Sequence, residues 1–444
     1  MAPMTRKTIP TRFGLPLLAV SSIAFLFPPG CGKNCRDKPN VILITLDTTR
    51  ADHLGAYGYG GDTSPNLDAL AEQSLVFSRA RSTSSWTLPA HASLFTGQFP
   101  HQHGVRYDTE GTISLEDAIS EGSRTHLYQP YRVRGIDPET PTLAELMRLR
   151  RYRTGAVVAG PWLMRPFGLD RGFEHYDEGG ITSYAGRRAD EVTDAAVDWL
   201  GTTEFEEHER FFLFLNYFDP HVPYEPPGAS TDPEDPVAAY DDEIRFMDRQ
   251  LGRLFDELEA QGLFDSTLIV VTGDHGELLG ERDRWGHGRY LDEVLIRVPL
   301  LLKMPGNGER GRSGVPVQLP DLHRLLLRIV DGHDDDPEAE AQALLEAREV
   351  RSVAEVWPSP DTPEIGRVVT IIEGRFKLLY SDLLDRAELY DLDVSETKDV
   401  SESRPELYQR LLSFAKDLPT ASGPSIPVDE ETRERLESLG YGGN

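Results

Sequence analysis

Val41-Ile42-Leu43-Ile44-Thr45-Leu46-Asp47 is the stretch on which the fold turns. A strand with one solvated face alternates apolar and polar side chains, so an unbroken apolar run that stops at a carboxylate predicts a strand covered on both faces, as in a parallel sheet. Phe211 to Leu215, Leu268 to Thr272 and Pro299 to Leu302 repeat the pattern. Helical stretches lie between these runs. Ser64-Pro65 offers an N-cap and a first-turn proline, and Tyr240 to Leu263 places Ile244, Met247, Leu251, Leu254, Phe255 and Leu258 on one face. Strand and helix alternate, which predicts an α/β fold with a mostly parallel central sheet. Asp108 to Pro141 is polar and aperiodic and reads as a surface insertion. Asp331 to Val350 holds eight acids against one arginine and reads as a solvated boundary. Beyond it, Val368 to Ile372 and Phe376 to Tyr380 suggest paired strands around Glu373-Gly374, closed by a helix over Pro405 to Leu418. The expected division is a leader and linker over 1–37, a catalytic α/β domain over 38–345 and a C-terminal α+β subdomain over 346–444.

The 444 residues carry 46 basic and 74 acidic side chains, a formal charge of −28. That balance excludes nucleic acid as a partner, because phosphate backbones are held by Lys and Arg. No acid occurs before Asp37, while Arg6, Lys7 and Arg12 precede the apolar run Phe13 to Phe27, the pattern of an export signal. Pro28-Pro29-Gly30-Cys31 resembles a lipoprotein cleavage box, with Cys31 as the lipidation site and the membrane attachment it would give. The expected location is the periplasm or cell envelope, or otherwise the medium. Cleavage before Cys31 removes three cations and takes the charge from −28 to −31. Cys31 and Cys35 are the only cysteines, so no disulfide framework holds the core. Nothing in the sequence fixes the oligomeric state.

Ligands of α/β sheets collect beyond the carboxyl ends of the strands. Asp47, Asp219-Pro220-His221 and Asp274-His275-Gly276-Glu277 all fall at such ends, and carboxylate with imidazole suits a divalent metal. In Ser84-Ser85-Trp86-Thr87-Leu88-Pro89-Ala90-His91, Thr87 is expected to cap a helix with Pro89 in its first turn. A hydroxyl there sits where backbone N–H groups and the helix dipole stabilise an anion.

These segments, with Arg50-Ala51-Asp52-His53-Leu54-Gly55, Leu94-Phe95-Thr96-Gly97, Asp219-Pro220-His221-Val222-Pro223-Tyr224, Arg297-Val298-Pro299 and Glu388-Leu389-Tyr390-Asp391-Leu392, resemble in order and spacing the sulfatase family of the alkaline phosphatase superfamily. The resemblance runs from about Pro39 to Tyr441. It implies a large α/β domain with helices on both sheet faces, a small C-terminal antiparallel sheet with a helix, and a small anionic ester as substrate.

Departures from the family pattern shape the chemistry it implies. Where sulfatases carry a Cys or Ser converted to formylglycine, followed by Pro and Arg, this chain has Thr87, Pro89 and His91, and Thr is not a substrate for that conversion. No formylglycine is expected. Ser85 is two residues out of register. Thr48 stands where a second Asp is usual, Pro161 where a Lys is usual, and His287 where a later Lys is usual. The remaining set, Asp47, Thr87, Asp274 and His275, implies one divalent ion, Zn or Mn over Ca because an imidazole is included. It resembles the single-metal phosphotransferases and phosphodiesterases of the superfamily, with Thr87 as nucleophile and His221 and His287, assisted by His91, contacting phosphoryl oxygens or protonating the leaving group. The leading expectation is a metal-dependent hydrolase or transferase of phosphate mono- or diesters. Two others stand beside it: a sulfatase using unmodified Thr87, and a non-catalytic binding protein with the same fold.

Overall fold

The apolar run does form a buried strand, β1 (Asn40–Leu46), with every residue buried. The computed structural model describes residues 38–107, 113–114, 132–181, 186–202, 210–225, 227, 235–306, 308–332, 339, 342–343, 351–358 and 366–419. The leader with Cys31 and most of the two polar stretches 108–141 and 331–350 therefore lie outside the described residues. The strands after β1 are β2 (Leu75–Phe77), β3 (Arg106–Tyr107), β4 (Ile113–Ser114), β5 (Arg132–Arg134), β6 (Tyr152–Val157), β7 (His175–Asp177), β8 (Arg210–Tyr217), β9 (Thr267–Gly273), β10 (Leu278–Leu279), β11 (Trp285–Gly286), β12 (Leu300–Lys303) and β13 (Gly311–Ser313). Seven of them join β1 in the central sheet, in the order β13-β2-β12-β9-β1-β8-β6-β7 among the described residues.

Each face of β1 meets its own core, which is why no polar position interrupts the run. Ile42, Ile44 and Leu46 pack with Leu213, Leu215, Ile269 and Val271 beneath the helices Pro65–Ala71, Ala189–Thr202 and Pro236–Ala260. Val41 and Leu43 pack with Phe212, Phe214, Leu268 and Val270 beneath the helices Thr87–Thr96, Leu143–Leu149 and Leu319–Val330. The sheet is mostly parallel, with helices on both faces. One expectation is corrected: the run at Pro299 to Leu302 forms β12, which lies antiparallel to β9 and β2. Burial on both faces gives a strand its composition but not its direction. The stretch read as an aperiodic insertion also gives Val133 and Ile136 to the core. The long helix begins at Pro236, earlier than its apolar stripe, because Asp235 caps it through the N–H groups of Val237 and Ala238.

The C-terminal part is a four-stranded antiparallel sheet, β14 (Arg351–Val356), β15 (Val368–Glu373), β16 (Phe376–Ser381) and β17 (Arg386–Asp391), in sequential order. One face packs on the helix Pro405–Asp417 through Leu411 and Ala415, and the other on Leu278, Leu291, Leu295 and Ile296. The second contact matters for function, because those residues flank the segment that follows β9. Glu355 on β14 ties this sheet to the segment after the Thr87–Thr96 helix: it accepts from His101 at 2.5 Å and from Arg367 at 2.6 and 2.9 Å.

Candidate active site

The parallel register of β1 and β9 pairs Leu46 with Gly273, so the next residues, Asp47 and Asp274, emerge side by side from the carboxyl end of the sheet. His275 follows directly. Its Nδ1 lies 2.9 Å from the carbonyl of Gly276, which can only accept, so Nδ1 holds the proton and Nε2 presents a bare lone pair. Gly276 is required here, because a Cβ would overlap the carbonyl oxygen of Val294.

Trp86 is extended, and the helix starts on Thr87. Thr87 is therefore the first helical residue and not the cap, which leaves its hydroxyl free of the helix end. Thr87 Oγ1 lies 3.2 Å from His275 Nε2 and 3.4 Å from Asp47 Oδ2. Asp274 Oδ1 accepts from the N–H groups of His275 (2.8 Å) and Thr48 (3.3 Å). Asp274 Oδ2 and Asp47 Oδ1 are buried with no hydrogen-bond partner among the described residues. Burial, with repulsion from Asp274 and Glu277, pushes the Asp47 carboxyl well above its ordinary range, and burial lifts Asp274 to about 6. One ligand atom from each of Asp47, Asp274 and His275 lies within 4.8 Å of the others, and orphaned carboxylate oxygens buried on both acids are costly unless a cation joins them. The donor set fits a divalent metal.

Thr48 holds a left-handed backbone, φ 51°, unusual for a β-branched residue. The Tyr240 hydroxyl secures it, donating to the Thr48 carbonyl at 2.8 Å and accepting from Arg50 N–H at 2.9 Å. Arg50 brings no free cation to the site, since its guanidinium is held by Asp52 and Glu281.

The other expected histidines separate in role. His91 is fully buried one turn along from Thr87, with Nδ1 at 2.9 Å from the Thr87 carbonyl and Nε2 at 3.0 Å from Thr45 Oγ1. Both ring nitrogens are engaged beneath the site, and burial lowers the pKa of the ring. His221 stacks on Phe218 at 4.2 Å and turns Nδ1 to the Val222 carbonyl at 2.7 Å. Its ring lies 5.0 Å from His287, which lies 4.6 Å from His275. Burial lowers His221 to about 3 and His287 to about 4. Glu277, which pattern reading leaves without a role, is a fully buried carboxylate at 3.0 and 3.3 Å from His287 Nδ1. Its place in the Asp274-His275-Gly276-Glu277 run was the one available signal.

Ahead of His221, the Asp219 carboxyl is buried near Glu243, whose Oε1 accepts from Glu225 N–H at 2.6 Å. Burial raises Asp219 to about 7, and burial with the Asp219 charge raises Glu243 to about 8. Both acids bind protons more tightly folded than unfolded, so their contribution to stability is present below pH ~4 and lost as pH rises through about 7 and 8. Thermal melts across that window should show wild type falling with pH and Glu243→Gln falling less. Parallel slopes would refute the assignment.

Fold and site together define an α/β protein with a candidate divalent-metal site at the carboxyl end of its mostly parallel sheet. Residues 39–331 match the sulfatase family pattern. An ulvan-active sulfatase of Formosa agariphila is 25% identical over 352 residues, spanning 69% of this chain and 68% of that protein. A choline-sulfatase of Rhizobium meliloti is 25% identical over 483 aligned positions, 89% of each chain. A phosphonate monoester hydrolase structure from Silicibacter pomeroyi superposes with a TM-score of 0.63 at 22% identity, covering 86% of this chain and 96% of that one. The chain belongs to the sulfatase family, whose members are ester hydrolases that bind a divalent metal, and it has the family's alkaline phosphatase-like fold.

Proposed function

We propose that this protein cleaves or transfers phosphate mono- or diesters through Thr87. The observation that carries the reading is the Thr87 hydroxyl between His275 Nε2 and Asp47 Oδ2, beside two unpartnered carboxylate oxygens. Asp47, Asp274, His275 and Thr87 would hold the divalent ion. When bound, it lowers the pKa of a coordinated hydroxyl and offsets phosphoryl charge.

The chain's own residues do the rest. The Thr87 proton passes to Asp47 Oδ2, its hydrogen-bond partner, as Oγ1 attacks phosphorus in line and the bond to the leaving oxygen breaks. Thr87 then carries the phosphoryl group until water or an acceptor alcohol takes it. The helix N-terminus at Thr87 faces the developing negative charge, and His221 and His287 contact the non-bridging or leaving oxygens. Buried His91, bonded to the Thr87 carbonyl, holds the first helical turn in place.

A second reading, sulfate esters attacked by unmodified Thr87, is favoured by relatives named as sulfatases. The two are separated by turnover of matched aryl phosphate monoesters, diesters and sulfates by metal-loaded protein. The phosphate reading expects phosphate turnover to exceed sulfate turnover, and the reverse order rejects it.

A further inference from the structure

Between the segment Arg282 to Asp292 and the strands β15, β16 and β17 lies a cavity of about 240 Å³. His287 takes no part in its wall and turns instead to Glu277 and His275. Leu291, Val368 and Leu379 supply an apolar lining. Four arginines join them, Arg282, Arg284 and Arg289 from the segment and Arg386 from β17, with Asp292, Glu388 and Glu396 as the acids. The chain as a whole has 74 acids against 46 bases, so a cavity in which cations outnumber acids runs against the prevailing charge. Its acids are also occupied. Asp292 Oδ1 accepts from both Arg282 and Arg284, the latter at 2.6 Å. Glu388 pairs with Arg386 at 2.6 Å and accepts from the Tyr390 hydroxyl. Glu396 accepts from Lys377 at 2.5 Å and from Glu293 N–H at 3.0 Å. One carboxylate oxygen thus serves two guanidiniums, each with five N–H donors, and burial with the Arg282 charge lowers the Arg284 pKa. Arg284 lies over the Tyr290 ring, 4.3 Å from its centre, which sets an aromatic wall beside the cation.

We propose that this cavity binds a small organic anion, its oxyanion head on the arginines and its apolar body on Leu291, Val368, Leu379 and Tyr290. Guanidinium forks match an oxyanion with two parallel N–H donors, and the apolar lining has no use for a bare inorganic ion. The volume lies just under the ~300–1,000 Å³ of common small-molecule pockets, so the occupant is a single ring or a short chain. The site goes beyond the Thr87 chemistry and stands whether or not that reading does. It is nevertheless close to it in the chain: Arg289 follows His287 by two residues, which keeps their Cα atoms within ~7 Å. An anion held there braces the segment that carries His287.

Calorimetry on the zinc-loaded full chain tests this with three probes: 3-phenylpropionate, its neutral amide, and acetate. 3-Phenylpropionate should bind one-to-one with a Kd below about 1 mM. The amide lacks the charge and acetate lacks the body, so each should bind at least about tenfold more weakly. Arg284→Gln and Arg386→Gln should each weaken 3-phenylpropionate by about tenfold. The Arg386 side chain is 70% exposed, so Arg386→Gln keeps the fold even if Arg284→Gln does not. Asp274→Asn, which alters the candidate metal site, should leave the affinity unchanged. Absence of binding, equal affinity for the acid and its amide, or an affinity indifferent to both arginine changes overturns the proposal. Binding lost in Asp274→Asn and kept in Arg386→Gln puts the anion on the metal and overturns it as well. Failure of the Thr87 reading is distinct, since it appears as turnover that survives Thr87→Ala.

Discussion

Thr87→Ala is expected to lower kcat on a phosphate ester by roughly 10³–10⁶-fold, the range seen when a nucleophile that works with partners is removed. The fold should be nearly unaffected. Among the described residues Thr87 Oγ1 makes only long hydrogen bonds, 3.2 and 3.4 Å, and the helix start is held by Trp86, which stacks on Tyr107 at 4.0 Å and meets Trp162 edge-on at 4.9 Å. A stability loss of about 1 kcal/mol or less is expected from the missing hydroxyl. Thr87→Ser keeps the nucleophile and should retain a large part of the activity. Rapid quenching of wild type with substrate should show one added phosphoryl group in the intact mass, assigned to Thr87 by peptide mapping. Wild-type turnover by Thr87→Ala would end the nucleophile assignment, whatever the ester.

Asp274→Asn is expected to act in opposite directions with and without metal, and to reduce turnover about as severely as loss of Thr87. The asparagine Oδ1 can still accept from His275 and Thr48 N–H, so the turn after β9 should survive. Without divalent ions, wild type holds Asp47 and Asp274 buried side by side, and their repulsion is part of what raises Asp47. Neutralising one should raise the apo melting temperature by about one degree, which is on the order of 1 kcal/mol for a chain of this size. With zinc or manganese at a hundred times its dissociation constant, wild type should gain about 2.7 kcal/mol. Asp274→Asn should gain far less, because an amide oxygen is a poor replacement for a carboxylate ligand. Calcium should stabilise wild type less than zinc or manganese, because the His275 nitrogen suits the softer ions. Melting curves after chelation and after titration with each metal measure this directly. Identical curves for wild type with and without metal would remove the ion from the site.

How far the site could be read in advance differs residue by residue. Asp47, Asp274 and His275 were legible because each follows an apolar run directly, and strands of a parallel sheet end on one edge. Their adjacency also needed β1 and β9 to be neighbours, and the Leu46–Gly273 register supplies that. Thr87 was legible as a helix-start hydroxyl, but its exact position was not. Tyr107 and Trp162, distant in sequence, fix Trp86 outside the helix. His91 carries a ligand-type side chain one turn from Thr87, and only its burial against Thr45 shows that its nitrogens are taken.

By itself the sequence determined the class of fold, the strand ends that carry Asp47, Asp274 and His275, and the presence of threonine where the family has a convertible cysteine or serine, because these depend on side-chain identity and short-range pattern. The tertiary structure decided the direction of β12, the engagement of His91 and the pairing of Glu277 with His287. Each of those depends on where the backbone turns back. An apolar run has no sign of direction, and a carboxylate ten residues from an imidazole has no preferred partner until the β10–β11 register sets them opposite each other.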